Sequence, residues 1–159
     1  MQILPLTGSH DRQGFDCGRT ELNDWLQRIA RQHHDKGLSK TFVAIREQAP
    51  AVICGYYALT VAELDNSQIP ESRRGKLPRR IPGVRLGRLA VDLRYQGTGL
   101  GELLLVDALT RARRIQQDAG VVGLFVDAID EQTAGFYLRL GFSSSPGNPL
   151  LLFLPVRGI

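Results

Sequence analysis

Leu86-Gly87-Arg88-Leu89-Ala90-Val91-Asp92-Leu93-Arg94-Tyr95-Gln96-Gly97-Thr98-Gly99-Leu100-Gly101 is the stretch that decides how this chain is read. The apolar run ending at Val91 has the pattern of a buried strand. The residues after Gly99 have the periodicity of a helix, and Gly97, Gly99 and Gly101 stand on alternate positions where the two meet. Glycine gives the backbone access to positive φ and lets an anion come close. A helix opening from such a turn offers unpaired N–H groups with the helix dipole behind them, so the segment predicts a diphosphate cradle. Residue identity excludes two common cradles. A Walker A loop ends in G-K-[ST], whereas Gly101 is followed by Glu102. A dinucleotide fingerprint needs G-x-G-x-x-G, and position 102 carries no glycine; too little chain follows for a six-stranded doubly wound sheet. A plain connecting turn has no need of three glycines, each of which costs backbone entropy.

Working outward, residues 20–36 place Leu22, Trp25, Leu26, Ile29 and Ala30 at helical spacing, with Thr20 as N-cap and Gly37 as stop. Residues 40–46 and 52–60 read as two strands of a hairpin around the turn at 47–50, with Gly55 a candidate bulge. Tyr56 and Tyr57 alternate across the second strand, so one is expected in the core and the other in the cleft. Residues 65–83 carry Pro70, Pro78 and Pro82 among arginines and read as a long basic loop with room for a helical turn. A strand at 84–92 and a helix at 99–117 follow, the helix with Leu103, Leu104, Val106, Ala108, Leu109 and Ala112 expected inward. A strand at 121–128, a short helix at 131–140 stopped by Gly141, and a last apolar strand at 150–156 complete the order. The pattern predicts a mixed α/β fold, one central sheet flanked by helices, in a single domain spanning residues 1–159.

Composition narrows the function classes. A chain of 159 residues with 43% hydrophobic and 23% charged residues buries a core without a disulfide or metal. No apolar run reaches the ~18 residues of a membrane span, and residues 1–10 lack the pattern of a secretory leader. Cys17 and Cys54 form no C-x-x-C pair or metal-ligand spacing, so no metal site is expected and a reducing cytoplasm is. Cys17 reads as buried rather than nucleophilic, Trp25 as core, and His33 and His34 as exposed residues at a helix end; Glu63 could hold a water. The formal net charge is +4, but residues 71–94 hold Arg73, Arg74, Lys76, Arg79, Arg80, Arg85, Arg88 and Arg94 against Glu71 and Asp92. The excess positive charge is therefore concentrated in one arginine-rich window, which suits a polyanion.

Arg94-Tyr95-Gln96-Gly97-Thr98-Gly99 resembles the [QR]-x-x-G-x-[GA] motif of the GNAT family of acetyl-CoA-dependent N-acetyltransferases, and Phe136-Tyr137-Leu138-Arg139-Leu140-Gly141-Phe142 resembles that family's F-Y-x-x-x-G-F. The resemblance implies the GNAT fold. It also implies that Arg94, Gln96, Gly97, Thr98, Gly99, Leu100 and Gly101 hold the diphosphate of acetyl-CoA, that Leu89, Ala90 and Val91 pair with its pantetheine arm, and that Tyr137 is the general acid. Phe15-Asp16-Cys17-Gly18 with Leu22-Asn23-Asp24-Trp25-Leu26, and Gly55-Tyr56-Tyr57-Ala58-Leu59, are similar to segments of TacT-like GNAT toxins of bacterial type II toxin–antitoxin modules. That narrower resemblance implies acetylation of the α-amino group of aminoacyl-tRNA and arrest of translation. It also implies a homodimer and a DNA-binding antitoxin of the ribbon-helix-helix kind.

The chemistry agrees with the resemblance. No His or carboxylate near the motifs stands out as a base. An α-amine titrates near ~8 against ~10.4 for lysine, so an α-amine substrate, already partly neutral, can lose its proton to water. Within the basic window, Arg73, Arg74, Lys76, Arg79 and Arg80 are the candidate tRNA contacts, while Arg85, Arg88 and Arg94 lie on or beside the strand and could serve CoA. Two alternatives stand beside this reading: a GNAT enzyme for another amine (a peptide N-terminus or a small molecule) and a non-enzymatic binding module.

Overall fold

The computed structural model describes residues 1–156, together with the backbone but not the side chain of Arg73. Its elements run β1 (Gln2–Pro5), α1 (Thr20–Arg28), α2 (Ala30–Lys36), β2 (Lys40–Ile45), β3 (Gly55–Asp65), α3 (Glu71–Arg74), β4 (Arg80–Val91), α4 (Leu100–Asp118), β5 (Gly123–Asp127), α5 (Glu131–Arg139), β6 (Ser143–Ser145) and β7 (Asn148–Pro155). The strands form one mixed seven-stranded sheet in the order β1-β2-β3-β4-β5-β7-β6. The mixed α/β class with a central sheet is thus the observed one. Contacts divide the chain into two compact units, Met1–Thr60 with Gly87–Ala108 and Val61–Leu86 with Leu109 onward. Each unit is built from two separate stretches, so the division does not mark successive domains.

In the first unit β2 runs antiparallel to both β1 and β3, pairing Phe42 with Tyr57 and Val43 with Tyr56. The Tyr56 face packs into a core with Phe15, Leu22, Trp25, Leu26 and Ala30, all nearly closed to solvent. The Tyr57 face meets Phe42, and its hydroxyl donates to Asp107 of α4. Both faces are covered, so both tyrosines are fully buried and neither opens onto a cleft, contrary to the alternation argument. Gly55 opens β3 rather than bulging it: a Cβ there would lie 2.9 Å from Leu104 Cδ1 and 3.1 Å from Ala90 O, so it is a close-approach glycine. The single helix expected over 20–36 breaks at Ile29 into α1 and α2, and Arg19, not Thr20, occupies the N-cap; Gly37, at φ 73, ends α2 as expected. β1 was not foreseen. It is short and mostly exposed, and its pairing with β2 rather than any apolar alternation defines it.

In the second unit β5 lies parallel to β4 over Val84–Leu86 and antiparallel to β7, and β6 pairs with β7. Leu64, Ile69, Ile81, Phe125, Leu151 and Phe153 form its core. Gly123 faces Leu154 O at 2.5 Å from where a Cβ would stand, so only glycine fits that crossing. Asp130 caps α5 by accepting from Thr133 N at 2.8 Å. The stretch read as a long loop is largely structured. β3 and β4 extend into it, through Arg80 and Pro82, and what remains is a 3₁₀ turn (Asn66–Gln68), α3 and a short return. Ile69, fully buried, anchors it.

Along α4 the inward stripe is Leu100, Leu104, Leu105, Ala108 and Ala112. Leu103 and Val106, expected inward, are 43% and 58% exposed, because 3.6-residue periodicity leaves them on the outer face once Leu105 takes the inner one. Among the described residues no helix is long and apolar enough to cross a membrane, and no cluster of His, Cys, Asp or Glu could hold a metal ion.

Candidate functional site

The turn between β4 and α4 is held open by two left-handed glycines, Gly97 at φ 76 and Gly99 at φ 86. Nothing lies within 4 Å of where a Cβ would stand on either, so backbone conformation, not crowding, demands glycine there, and the space over the turn is free. Asp92 N donates to Cys54 O, Leu93 N to Asp16 O and Tyr95 N to Asp92 O, and Leu103 N begins the helical ladder on Gly99 O. Between them, the amides of Gln96, Gly97, Thr98, Gly99, Leu100, Gly101 and Glu102 donate to no acceptor among the described residues. They stand at the N-terminus of the 19-residue α4, where the dipole is positive. Consecutive free donors at a positive helix end fit a diphosphate.

The side chains expected to help bind the donor divide by role. Gln96 Nε2 donates to Val91 O at 2.9 Å and to Cys17 O at 3.0 Å, so this side chain shapes the turn. Thr98 Oγ1 donates to Tyr95 O within it. Arg94 forks onto Asp92 through Nε at 2.9 Å and Nη2 at 3.2 Å. Asp92 is 2% exposed, and its carboxyl is held below the usual range: burial pushes it up, but hydrogen bonds from Arg94 and from Asp16 N outweigh that. Asp92 was not foreseen as part of the site, although it sits directly between strand and turn in the sequence. Leu89 and Val91 are partly exposed and Ala90 is buried. The register of β4 with β5 ends at Leu86, and β4 itself continues to Val91. Arg85 pairs with Asp127 at 2.6 Å, and Arg88 lies over the Trp25 ring at 4.4 Å. Both are thus engaged within the fold.

Tyr137, on α5, is 3% exposed between Phe136 and Phe142, whose ring centroids lie at 5.1 and 5.3 Å. Its hydroxyl has no hydrogen-bond partner among the described residues, and burial pushes its pKa well above the ordinary tyrosine value. It is a protonated phenol throughout the physiological range. Cys17 is buried and its thiol pushed up by burial, which suits packing rather than nucleophilic attack.

The basic segment is ordered by its own polar groups. Arg74 is partly buried and donates to Asn66 O at 3.0 Å and Ile69 O at 3.2 Å, so it ties the segment together. Arg79 reaches Asp65 at 3.5 Å and Arg80 reaches Glu63 at 3.4 Å, their side chains 85% and 75% exposed. Glu63, Leu64, Asp65 and Arg80 line a pocket of about 220 Å³. Glu63 is thus an ion-pair partner. Lys76 is exposed, and the Arg73 side chain lies outside the described residues. His33 and His34 are not simply exposed. His33 meets the Trp25 ring edge-on, and His34 Nδ1 accepts from Thr41 N at 2.9 Å.

Residues 37–144 match the acetyltransferase (GNAT) domain, and the chain belongs to that family. Its relatives are more specific than the class. It is 33% identical over 152 residues to the tRNA-acetylating toxin of Mycobacterium tuberculosis, covering 96% of this chain and 90% of that protein. Its fold superposes with a TM-score of 0.90 on AtaT complexed with acetyl-methionyl-tRNAfMet, at 33% identity and covering 97% of this chain and 94% of that one. With a TM-score of 0.82 and 30% identity it matches a tyrosine-to-phenylalanine variant of the AtaT toxin bound to the C-terminus of the antitoxin AtaR and to acetyl-CoA, covering 98% of this chain and 92% of that one.

Proposed function

We propose that this chain is an acetyl-CoA-dependent N-acetyltransferase toxin that acetylates the α-amino group of the aminoacyl moiety on charged tRNA and so blocks translation. One observation carries the reading: the run of unpartnered main-chain amides from Gln96 to Glu102 at the mouth of α4. The relatives supply its substrate, since the mycobacterial protein is named for acetylating tRNA and AtaT has been solved with an acetylated aminoacyl-tRNA.

Bound acetyl-CoA supplies an acyl thioester. The amides of residues 96–102 receive its diphosphate, with Gly97 and Gly99 keeping them exposed and Arg94 and Gln96 shaping the turn. The backbone of Leu89, Ala90 and Val91 orients the pantetheine arm, and the same strand offers an N–H to the developing oxyanion. Tyr137, kept protonated by burial, donates its proton to the departing sulfur. An aminoacyl α-amine is already partly neutral, and its protonated fraction loses its proton to water. Lys76, Arg79 and Arg80 offer the tRNA phosphates an exposed basic surface, and Arg74 contributes by ordering it; Arg73 belongs to the same set by sequence. The protein acts in the cytoplasm as a homodimer and is silenced by an antitoxin, as AtaT is bound by AtaR, here of the ribbon-helix-helix type.

Incubation with labelled acetyl-CoA and a full set of charged tRNAs tests the reading. Label is expected on the aminoacyl moiety, released with the amino acid on mild base treatment. Label that reaches only free amines or peptide N-termini overturns the substrate assignment.

A further inference from the structure

The F-D-C-G opening motif and Asn23 have no part in the chemistry above, yet they touch the glycine turn at several points. Asp16 N donates to Asp92 Oδ2 at 3.1 Å, and Leu93 N returns a bond to Asp16 O at 2.9 Å. Gln96 Nε2 donates to Cys17 O at 3.0 Å. Gly18, at φ 86, lies against the Leu93 side chain, with Cδ2 3.3 Å from where a Cβ would stand. The motif is itself fastened. Asp16 Oδ1 accepts from Gly18 N and from Asn23 Nδ2, both at 2.9 Å, and Asn23 Oδ1 accepts from Cys17 N at 2.9 Å. On the turn's side, Asp92 gathers Arg94 N, Nε and Nη2, and Gln96 also grips Val91 O.

A turn that leaves seven successive amides unpartnered makes few bonds of its own. Without an outside restraint it would relax toward conformations that satisfy those donors, and the ordering would be charged against donor binding. The polar chain from Asn23 through Asp16 and Cys17 to Asp92 and Gln96 is such a restraint, supplied from a segment some 75 positions away in sequence. We infer that Asp92, with the Asp16–Asn23 clamp behind it, is a positioning residue for the acetyl donor. It fixes the turn in the shape that receives the diphosphate and touches no part of the donor itself. This rests on the assignment of the turn to the diphosphate made above.

The variants Asp92→Asn and Asn23→Ala of the full chain test it. CoA affinity is measured by calorimetry, and kcat/KM is measured on a charged tRNA with two donors: acetyl-CoA, and S-acetylpantetheine, which has the thioester and the arm but no diphosphate. Asp92→Asn keeps the side chain's size but sets a neutral amide among four donors. Its Kd for CoA is expected to rise about tenfold or more and its kcat/KM with acetyl-CoA to fall in step, while kcat/KM with S-acetylpantetheine stays within about twofold. Asn23→Ala, which disturbs no buried charge, is expected to show the same donor-selective loss at smaller size, and carries the test if Asp92→Asn fails to fold. Unchanged CoA affinity in both, or equal loss with both donors, overturns the inference. The turn assignment fails separately: it falls if the wild-type protein does not bind CoA, or if Gly97→Ala and Gly99→Ala bind it unchanged.

Discussion

Tyr137→Phe separates stability from catalysis. The ring is 3% exposed and wedged between Phe136 and Phe142, and phenylalanine preserves all of that packing. The hydroxyl makes no hydrogen bond to any described residue, so its removal forfeits none and relieves whatever desolvation it bears. The expected change in stability is between zero and a gain of ~1 kcal/mol, or ~2–4 °C in Tm for a chain of this length. The rate should respond in the opposite sense. General acids contribute roughly 10²–10⁴-fold, and a leaving thiol with a pKa near ~8.5 needs the proton only modestly, which places the loss at about 10²-fold, or ~2.7 kcal/mol of barrier. Calorimetric unfolding beside single-turnover acetyl transfer at saturating donor measures both. In the wild type, burial holds the phenol protonated beyond the ordinary tyrosine range, so no activity should be lost to its ionisation up to pH ~10. A Tm lowered by more than ~4 °C would mean the hydroxyl holds the fold together, and a rate within about fivefold of wild type would mean it donates no proton; either result refutes the argument.

Gly99→Ala forces a side chain into φ 86 with no clash, so it should lower stability by ~1–2 kcal/mol and weaken CoA binding, as thermal unfolding and calorimetry will show. Gly123→Ala, at ordinary φ but 2.5 Å from Leu154 O, should destabilise more by overpacking. Arg79→Gln with Arg80→Gln removes two exposed ion pairs and should leave Tm unchanged. It should raise KM for charged tRNA, leave KM for acetyl-CoA alone, and flatten the salt dependence of tRNA binding by roughly one to two in log–log slope. His10 and His34 both have pKa values lowered chiefly by burial, and their Nδ1 atoms accept from Thr7 N and Thr41 N. The fold therefore favours the neutral rings. The stability they contribute should be fully present above pH ~6.5 and be lost as pH falls through their lower folded values, and the double variant His10→Gln with His34→Gln should flatten that acid limb in denaturant titrations.

The strand-turn-helix at residues 86–101 was legible because its signals are local: an apolar run, glycines where φ must be positive, and a helical stripe after them. The same holds for α5, whose stop at Gly141 was read from the sequence, and for the class of fold. Residue type and spacing also marked the basic window, whereas Tyr137 was singled out only through the resemblance of residues 136–142 to a family motif. What it left undecided depended on partners distant in sequence. Both Tyr56 and Tyr57 are buried because helices cover each face of the sheet there, which alternation along one strand does not reveal. β1 exists through its pairing with β2, and the break at Ile29 arises inside a continuous helical pattern. Arg74 is spent on backbone carbonyls and Arg94 on Asp92, distinctions invisible in a count of arginines. Only the tertiary structure joined Asp16 and Cys17 to the turn, because a hydrogen bond across some 75 positions leaves no periodicity in the chain that makes it.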